Sequence, residues 1–346
     1  VEIKKYPLLT EKGAWRGPGE ILPPAYGSGN KRYGGYYTQN EIKDIIKYAA
    51  DRNIDIIPEI DMPGHSKSIV ATYPQMRCDI ANYTESVNGE AFNAWCVGKA
   101  DKSNFKMIDD IIKEIAALFP SKIIHIGGDE VNFSIWKECP HCQALMKEKE
   151  IKSEPELQNY FMERVGKIIK KYGKNMAGWD EIVAVNDLPD NSIAYAWNSA
   201  KKGKEAAAKG INVVTQVCQY LYFDMKYTPI ERGHNWASVI SSEKAYSFDP
   251  ISTLGVTKDE EKYILGPQSG LWCELLNRPA RFLEYQTWPR NAALAEIGWT
   301  NQSLRKWEDF NKRLSKKHYE RMFNMGIAFR VPYPIVVYEN HTLKVD

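Results

Sequence analysis

Short apolar runs alternate with amphipathic stretches through most of the sequence. Gln39 to Asn53 carries Ile42, Ile45, Ile46 and Ala49 at helical spacing, which places them on one stripe of a helix. Thr38 precedes this stretch and Glu41 follows it by three residues, the arrangement of a capping box. Ile54 to Ile60 is a β-branched run with little polar alternation, as expected of a strand buried on both faces. The alternation then recurs. Phe105 to Phe119 reads as helix, Lys122 to Ile126 as strand, Glu156 to Tyr172 as helix and Asn175 to Trp179 as strand. Ser192 to Trp197 reads as strand, Lys202 to Lys209 as helix and Ile211 to Thr215 as strand. No hairpin signals separate these elements, so a parallel sheet wrapped by helices is expected. Gly13 to Gly35, rich in Gly, Pro and Tyr, reads as a long loop.

Open doubly wound sheets and closed (β/α)8 barrels both satisfy that order. No GxGxxG follows a strand, which argues against a dinucleotide fold. Acids and aromatics gather at the ends of several strands: Glu59 and Asp61, Asp129 and Glu130, Trp179 to Glu181, Trp197, Tyr222 and Asp224, then Trp272 and Glu274. Polar residues at the C-terminal ends of many strands are how a barrel assembles one site. A length of 346 residues suits one such barrel. Lys plus Arg number 46 against 44 acidic residues, so no basic footprint for nucleic acid is present. No apolar run approaches the roughly 18 residues of a membrane span. Ten Trp and 20 Tyr suit either a large core or a site that stacks sugar rings.

His125-Ile126-Gly127-Gly128-Asp129-Glu130 carries the chemistry. Neighbouring side chains on a regular strand point to opposite faces, but two glycines permit a bend that aims both acids into one pocket. Close carboxylates do not ionise independently. One pKa rises and the other falls, giving a proton donor and a standing anion. The alternative for this pair is a helix cap, since acids are favoured at a helix start.

The hexapeptide resembles the HxGGDE motif of family 20 glycoside hydrolases, the β-N-acetylhexosaminidases. Pro58 to His65, Gly178 to Glu181, Tyr222 to Met225 and Leu271 to Glu274 match the family's other motifs in order, and the likeness runs from about Tyr6 to Pro334. The resemblance implies an α/β fold, a (β/α)8 TIM barrel, with residues 1–334 forming the catalytic domain. It implies exo-hydrolysis of terminal GlcNAc or GalNAc from an oligosaccharide or glycoconjugate, in which the substrate's own 2-acetamido oxygen is the nucleophile. Glu130 is then the general acid and base, Asp129 orients the acetamido N–H, and Tyr222 hydrogen-bonds its carbonyl. Trp179, Trp197 and Trp272 wall the pocket, Asp224 and Glu274 grip hydroxyls, and His65 and Asp61 buttress Glu130. No cofactor and no metal are implied.

The match also departs from the family. Two barrel strands, one carrying a sugar-binding arginine, precede the family's equivalent of Val1, so the sequence is expected to be a fragment holding strands three to eight. Arg16 and Arg32 are weak substitutes for that arginine. Residues 335–346 read as the first strand of an appendage. The loops resemble bacterial members, which implies export to the periplasm or surface. Three rivals stay open: a carbohydrate-binding barrel without activity, a conventional retaining glycosidase, and a metal-dependent hydrolase built on His65, His125, Asp61 and Asp129. Among six cysteines, Cys139-Pro-His-Cys142 is a CxxC without a second CxxC, so a disulfide or free thiols is favoured over zinc. Cys78 and Cys96 flank one stretch and suit a disulfide, while Cys218 and Cys273 read as buried thiols.

Overall fold

The computed structural model describes the chain outside residues 25–28, 81–94, 100–103, 232, 273–278, 333–335, 340–341 and 346, and only the backbone of 336–339 and 342–345. The described residues form two compact units. The first comprises Val1–Val217 and Pro250–Gly266, the second Cys218–Asp249 and Pro267–Asp346.

The first unit is built on a five-stranded sheet in sequential order: β1 (Ile123–His125), β2 (Asn175–Trp179), β3 (Ile193–Ala196), β4 (Asn212–Thr215) and β5 (Ile264–Pro267). The first four run parallel, with Ile124 opposite Met176, Ala177 opposite Ile193 and Ala194 opposite Val213. Parallel neighbours need crossovers, and helices supply them. Helix Glu154–Lys171 links β1 to β2 by way of two shorter helices. Ser153 caps it by accepting from Glu156 N, and Leu157, Phe161, Met162, Val165 and Ile169 turn its apolar stripe inward. Helix Phe105–Leu118 buries Ile108, Ile111, Ile112 and Ile115 in the same way, before β1. Each such side chain withdrawn from water contributes about 1.5–3 kcal/mol. The expected capping box at Thr38 and Glu41 opens helix Gln39–Ala50.

One expected strand is shorter than its apolar run. Only Pro58–Met62 pairs with the sheet: His125 N donates to Pro58 O, Ile60 N to His125 O, and Met62 N to Ile126 O, each at 2.9 Å. Ile54 is 55% exposed and Ile57 37%, so the run is not covered on both faces. Pro58 has no N–H to offer a neighbour, which cuts the pairing at that point. Beside this segment lies an open cleft of about 310 Å³, lined by Val1, Ile3, Leu9, Glu59, Ile60 and Ile69 among others.

The second unit contains a strand-like segment at Tyr222, bridged in parallel to Gly270, and the helices Arg281–Thr287 and Arg290–Trp299. Arg290 is fully buried and donates to the carbonyls of Phe223, Met225, Ile240 and Gln286. Its guanidinium lies 3.8 Å from the Tyr227 ring centroid and 4.7 Å from that of Phe223. A planar cation with five donors is suited to joining several carbonyls at once. Val336–Glu339 and Thr342–Val345 pair antiparallel, where the sequence suggested the first strand of an appendage.

Candidate active site

The strand β1 ends in a bend with three left-handed residues. Gly127 has φ +68°, Gly128 +102° and Glu130 +51°. Glycine is required at the first two. A Cβ on Gly127 would sit 1.8 Å from Asp61 Oδ1, and one on Gly128 would sit 2.1 Å from Met162 Cε. Asp61 instead accepts from Gly128 N at 3.3 Å, while Gln158 Nε2 donates to Gly128 O at 2.6 Å. A non-glycine residue in the left-handed region stores strain, and Glu130 carries it here.

The bend brings Asp129 and Glu130 to one imidazole. His65 Nε2 lies 3.4 Å from Asp129 Oδ2 and 3.3 Å from Glu130 Oε2. These spacings are charge pairs rather than well-aligned hydrogen bonds, and the nitrogen makes none. Burial opposes charge on His65, but the two carboxylates beside it, with Asp61, outweigh burial and raise its pKa to about 11. The same imidazolium lowers the pKa of Glu130. The expected split between Asp129 and Glu130 therefore does not take the form of a raised Glu130. An opposite charge between them acts more strongly on Glu130 than its like-charged neighbour does. The raised carboxyl is Asp61, through burial first and the Asp129 charge second.

Behind the bend, His125 Nδ1 lies 3.2 Å from Glu59 Oε1 and 3.1 Å from Gly127 N. A proton on Nδ1 serves the first contact and a lone pair the second, so one forms at a time. Trp179 Nε1 also donates to Glu59, at 3.1 Å, and its ring packs edge-on to His125 at 4.7 Å. Trp179 is 3% exposed, so its indole is a packed interior side chain. Trp197 is half-buried and donates from Nε1 to Glu181 Oε2 at 3.3 Å. Asp180 accepts from the backbone N–H groups of Trp197 and Asn198.

Asp180 and Glu181 were legible only as motif members, and their environment is informative. Burial raises Asp180 to about 6, and burial with the charges of Asp180 and Asp129 raises Glu181 to about 8. Asp61, His65 and Asp129 also bring potential metal ligands within 4.8 Å of one another. A doubly protonated His65 has no lone pair to give a cation, which weakens that set as a metal centre. Arg32 is engaged by Glu20 at 2.6 Å and lies over Trp15 at 3.6 Å.

In the second unit, the Tyr222 ring centroid is 5.6 Å from that of Trp272 and 5.7 Å from that of Trp236. Trp236 is 60% exposed and went unremarked in the sequence, where no periodicity marks its loop. Asp224 is buried, and its carbonyl accepts from Gln286 Nε2 at 3.0 Å. Glu274 and Cys273 lie outside the described residues.

The profile of "Glycosyl hydrolase family 20, catalytic domain" matches residues 1–302. The chain belongs to glycosyl hydrolase family 20. This family 20 chain is 38% identical over 300 residues to a β-hexosaminidase of Vibrio furnissii, covering 86% of the chain and 49% of that protein. It is 36% identical over 337 residues to a β-hexosaminidase of Porphyromonas gingivalis, covering 96% of the chain and 41% of that protein. It thus spans less than half the length of either relative. Among solved structures it is similar to the family 20 exo-β-N-acetylglucosaminidase of Vibrio harveyi in complex with N-acetylglucosamine. The TM-score is 0.88 at 38% identity, over 96% of the chain and 52% of that structure. A Streptomyces plicatus β-hexosaminidase mutant with GlcNAc as product aligns with TM-score 0.77 at 30% identity, over 95% of the chain and 60% of that structure. The α/β class expected from the sequence is that of these neighbours, which are TIM-barrel hexosaminidases. Among the described residues no helix is long and apolar enough to cross a membrane.

Proposed function

We propose that this family 20 chain carries the catalytic machinery of a retaining exo-β-N-acetylhexosaminidase that removes terminal GlcNAc or GalNAc by substrate-assisted catalysis. One observation carries the reading: Asp129 and Glu130, adjacent in sequence, both reach one charged imidazole on a bend that glycine alone permits. A retaining enzyme with its own nucleophile needs carboxyls on opposite sides of the sugar, about 5–5.5 Å apart. Adjacent acids suit a reaction whose nucleophile arrives with the substrate.

In the first step the acetamido carbonyl oxygen bonds to C1 while the C1–O bond to the leaving group breaks. Glu130 relays to that oxygen the proton held by the His65–Glu130 pair. Asp129 faces the acetamido N–H and stabilises the positive charge of the resulting oxazolinium. In the second step a water oxygen bonds to C1, the C1–acetamido oxygen bond breaks, and the water proton passes to Glu130. The family resemblance assigns Tyr222 to steering the acetamido carbonyl toward C1, Trp179, Trp197 and Trp272 to the pocket wall, and Asp224 and Glu274 to the sugar hydroxyls. Holding the acetamido in attack position is an effective-molarity gain, worth up to about 7 kcal/mol.

The intact protein should release 4-nitrophenol from the β-N-acetylglucosaminide and leave the β-glucoside untouched. Asp129→Asn should lower turnover on the acetamido sugar by about 10²-fold or more. Equal rates on both sugars would overturn the reading, and so would a covalent adduct with a fluorosugar. Activity lost to EDTA and restored by a divalent ion would favour the metal-dependent rival.

A further inference from the structure

The sequence left Cys139-Pro-His-Cys142 without partners, and the fold supplies them. Cys78, Cys96, Cys139 and Cys142 are all buried, and their sulfurs all lie within 4.8 Å of one another. Cys96 Sγ is 3.6 Å from Cys139 Sγ and 3.8 Å from Cys142 Sγ, and Cys78 Sγ is 3.8 Å from Cys142 Sγ. We propose that these four cysteines form a structural zinc(II) site.

The spacing decides between a metal and disulfides. Four sulfurs about 2.3 Å from a central zinc at tetrahedral angles stand about 3.8 Å apart. Disulfide sulfurs stand about 2.05 Å apart and pair once each. Here Cys142 is equally far from Cys78 and Cys96, so the four form one cluster rather than two pairs. The expected Cys78–Cys96 disulfide is absent, and all five described cysteines are free thiols.

The surroundings are those of a closed, thiolate-rich centre. Cys139 ends the short helix Phe133–Glu138 and caps the nine-residue helix Pro140–Glu148, with Cys142 in its first turn. The positive end of that helix favours anionic sulfur, and the Cys142 backbone N–H reaches the Cys139 sulfur. Gly98 lies hard against the CxxC turn. A Cβ there would stand 2.1 Å from the His141 carbonyl and 2.4 Å from Cys142 N. On the other side of the cluster, Cys96 N donates to Met76 O at 2.9 Å, and the buried Asn104 amide donates to the carbonyls of Met76 and Cys96. His141 and Lys99 both hold Asp79 at the rim. Zinc entering this site displaces four thiol protons to solvent and leaves four thiolates around one divalent ion.

The site ties two segments that flank the acid bend. Trp95 N donates to Pro63 O at 3.0 Å, two residues before His65, and Trp95 O accepts from Trp136 Nε1 at 2.9 Å, on the helix that follows Glu130. Zinc there acts as a positioning element for the bend rather than as a reacting group.

Elemental analysis of the intact protein, purified without chelator, should find about one zinc per chain, falling below about 0.1 in Cys96→Ser and Cys142→Ser. Cys218→Ser, outside the cluster, should keep its zinc. Cobalt(II) exchanged into the site should give tetrahedral ligand-field and thiolate charge-transfer bands. Zinc withdrawn with a mercurial and chelator should lower the unfolding midpoint, and added zinc should restore it. Should the cysteine variants fail to fold, the metal content and cobalt spectrum of the wild type still decide. Four free thiols with no metal, a disulfide between any two of the four in a non-reduced peptide map, or iron in place of zinc would overturn the proposal.

Discussion

Two strand ends in this molecule are held by opposite means. The bend after β1 is held by small residues and charge: Gly127 and Gly128 make room, Asp61 fills it, and His65 spans two carboxylates. The segment from Phe223 to Met225 is held by one large cation, since Arg290 gathers four backbone carbonyls with no solvent contact. The first arrangement leaves titratable groups poised near one another. The second satisfies four backbone carbonyls with the donors of a single side chain. A site that moves protons calls for the first, and a scaffold that holds an aromatic ring in place is served by the second.

The difference is broken most severely at Arg290. Arg290→Met fills similar volume but leaves the carbonyls of Phe223, Met225, Ile240 and Gln286 without their donor. Each unsatisfied buried carbonyl costs about 1–3 kcal/mol, so a loss of about 3–5 kcal/mol is expected even after local relaxation. Arg290→Lys should recover only part of it, because an ammonium cannot reach four carbonyls in one plane. Chemical denaturation checks this, and a variant as stable as wild type would show that the carbonyls find other partners.

Gly127→Ala breaks the other strand end. The methyl carbon would overlap Asp61 at 1.8 Å, on a backbone with φ +68°. Asp61 must move and the bend must relax, at a cost of about 1–3 kcal/mol in strain. Turnover should fall further than stability, because the loss falls on the loop carrying Asp129 and Glu130. Turnover that tracks stability alone would show that the bend is scaffold only.

Much of this was legible in the sequence, for reasons that differ by region. The bend could be read because its constraints are contiguous: a strand, two glycines and two acids within six residues. The strand and helix alternation was legible for the same reason, since each element is specified by its own period. The run Ile54 to Ile60 was misread because apolar composition does not reveal which faces are covered. Its pairing begins only at Pro58. The direction of the Glu130 shift was hidden because it depends on His65, which is 65 positions earlier in the chain and arrives through the fold. The cysteine cluster was hidden likewise: Cys96 and Cys139 are 43 residues apart, and no local spacing announces their meeting. Arg290 gave no signal, because a buried arginine looks like any surface one until the carbonyls around it are seen.

His65 offers a way to sharpen the contrast between poised and saturated groups. Its pKa of about 11 means that the pair His65–Glu130 keeps one proton across the neutral range. That proton is lost only at strongly alkaline pH. In His65→Ala the holding charge is gone, and Glu130 should return toward an ordinary carboxyl value. The alkaline limb of kcat/KM should then move down into the acid range, with activity falling about tenfold per pH unit above the carboxyl pKa. An alkaline limb at the same pH in both proteins would remove His65 from the protonation of Glu130.

The smallest expected effect tests whether burial of an acid beside the first strand end, on the turn after β2, is a cost. Glu181 stands beside Asp180 and Asp129, and burial first, then those charges, raise its pKa from 4.5 to about 8. Below pH 4.5 the carboxyl is protonated in both folded and unfolded chains, so it contributes no penalty. Between 4.5 and 8 the unfolded chain ionises while the folded one does not, and stability falls as pH rises. Glu181→Gln cannot ionise in either state and still accepts from Trp197 Nε1 through its amide oxygen. The variant should match wild type at pH 4 and exceed it by about 1–2 kcal/mol at pH 8. That corresponds to a rise in unfolding midpoint of a few degrees, roughly 2–8 °C. Equal stabilisation at both pH values would mean that the gain comes from packing, and none at either would mean that Glu181 ionises freely in the folded chain. Only a gain that grows with pH fits a carboxyl kept neutral by its buried place among acids.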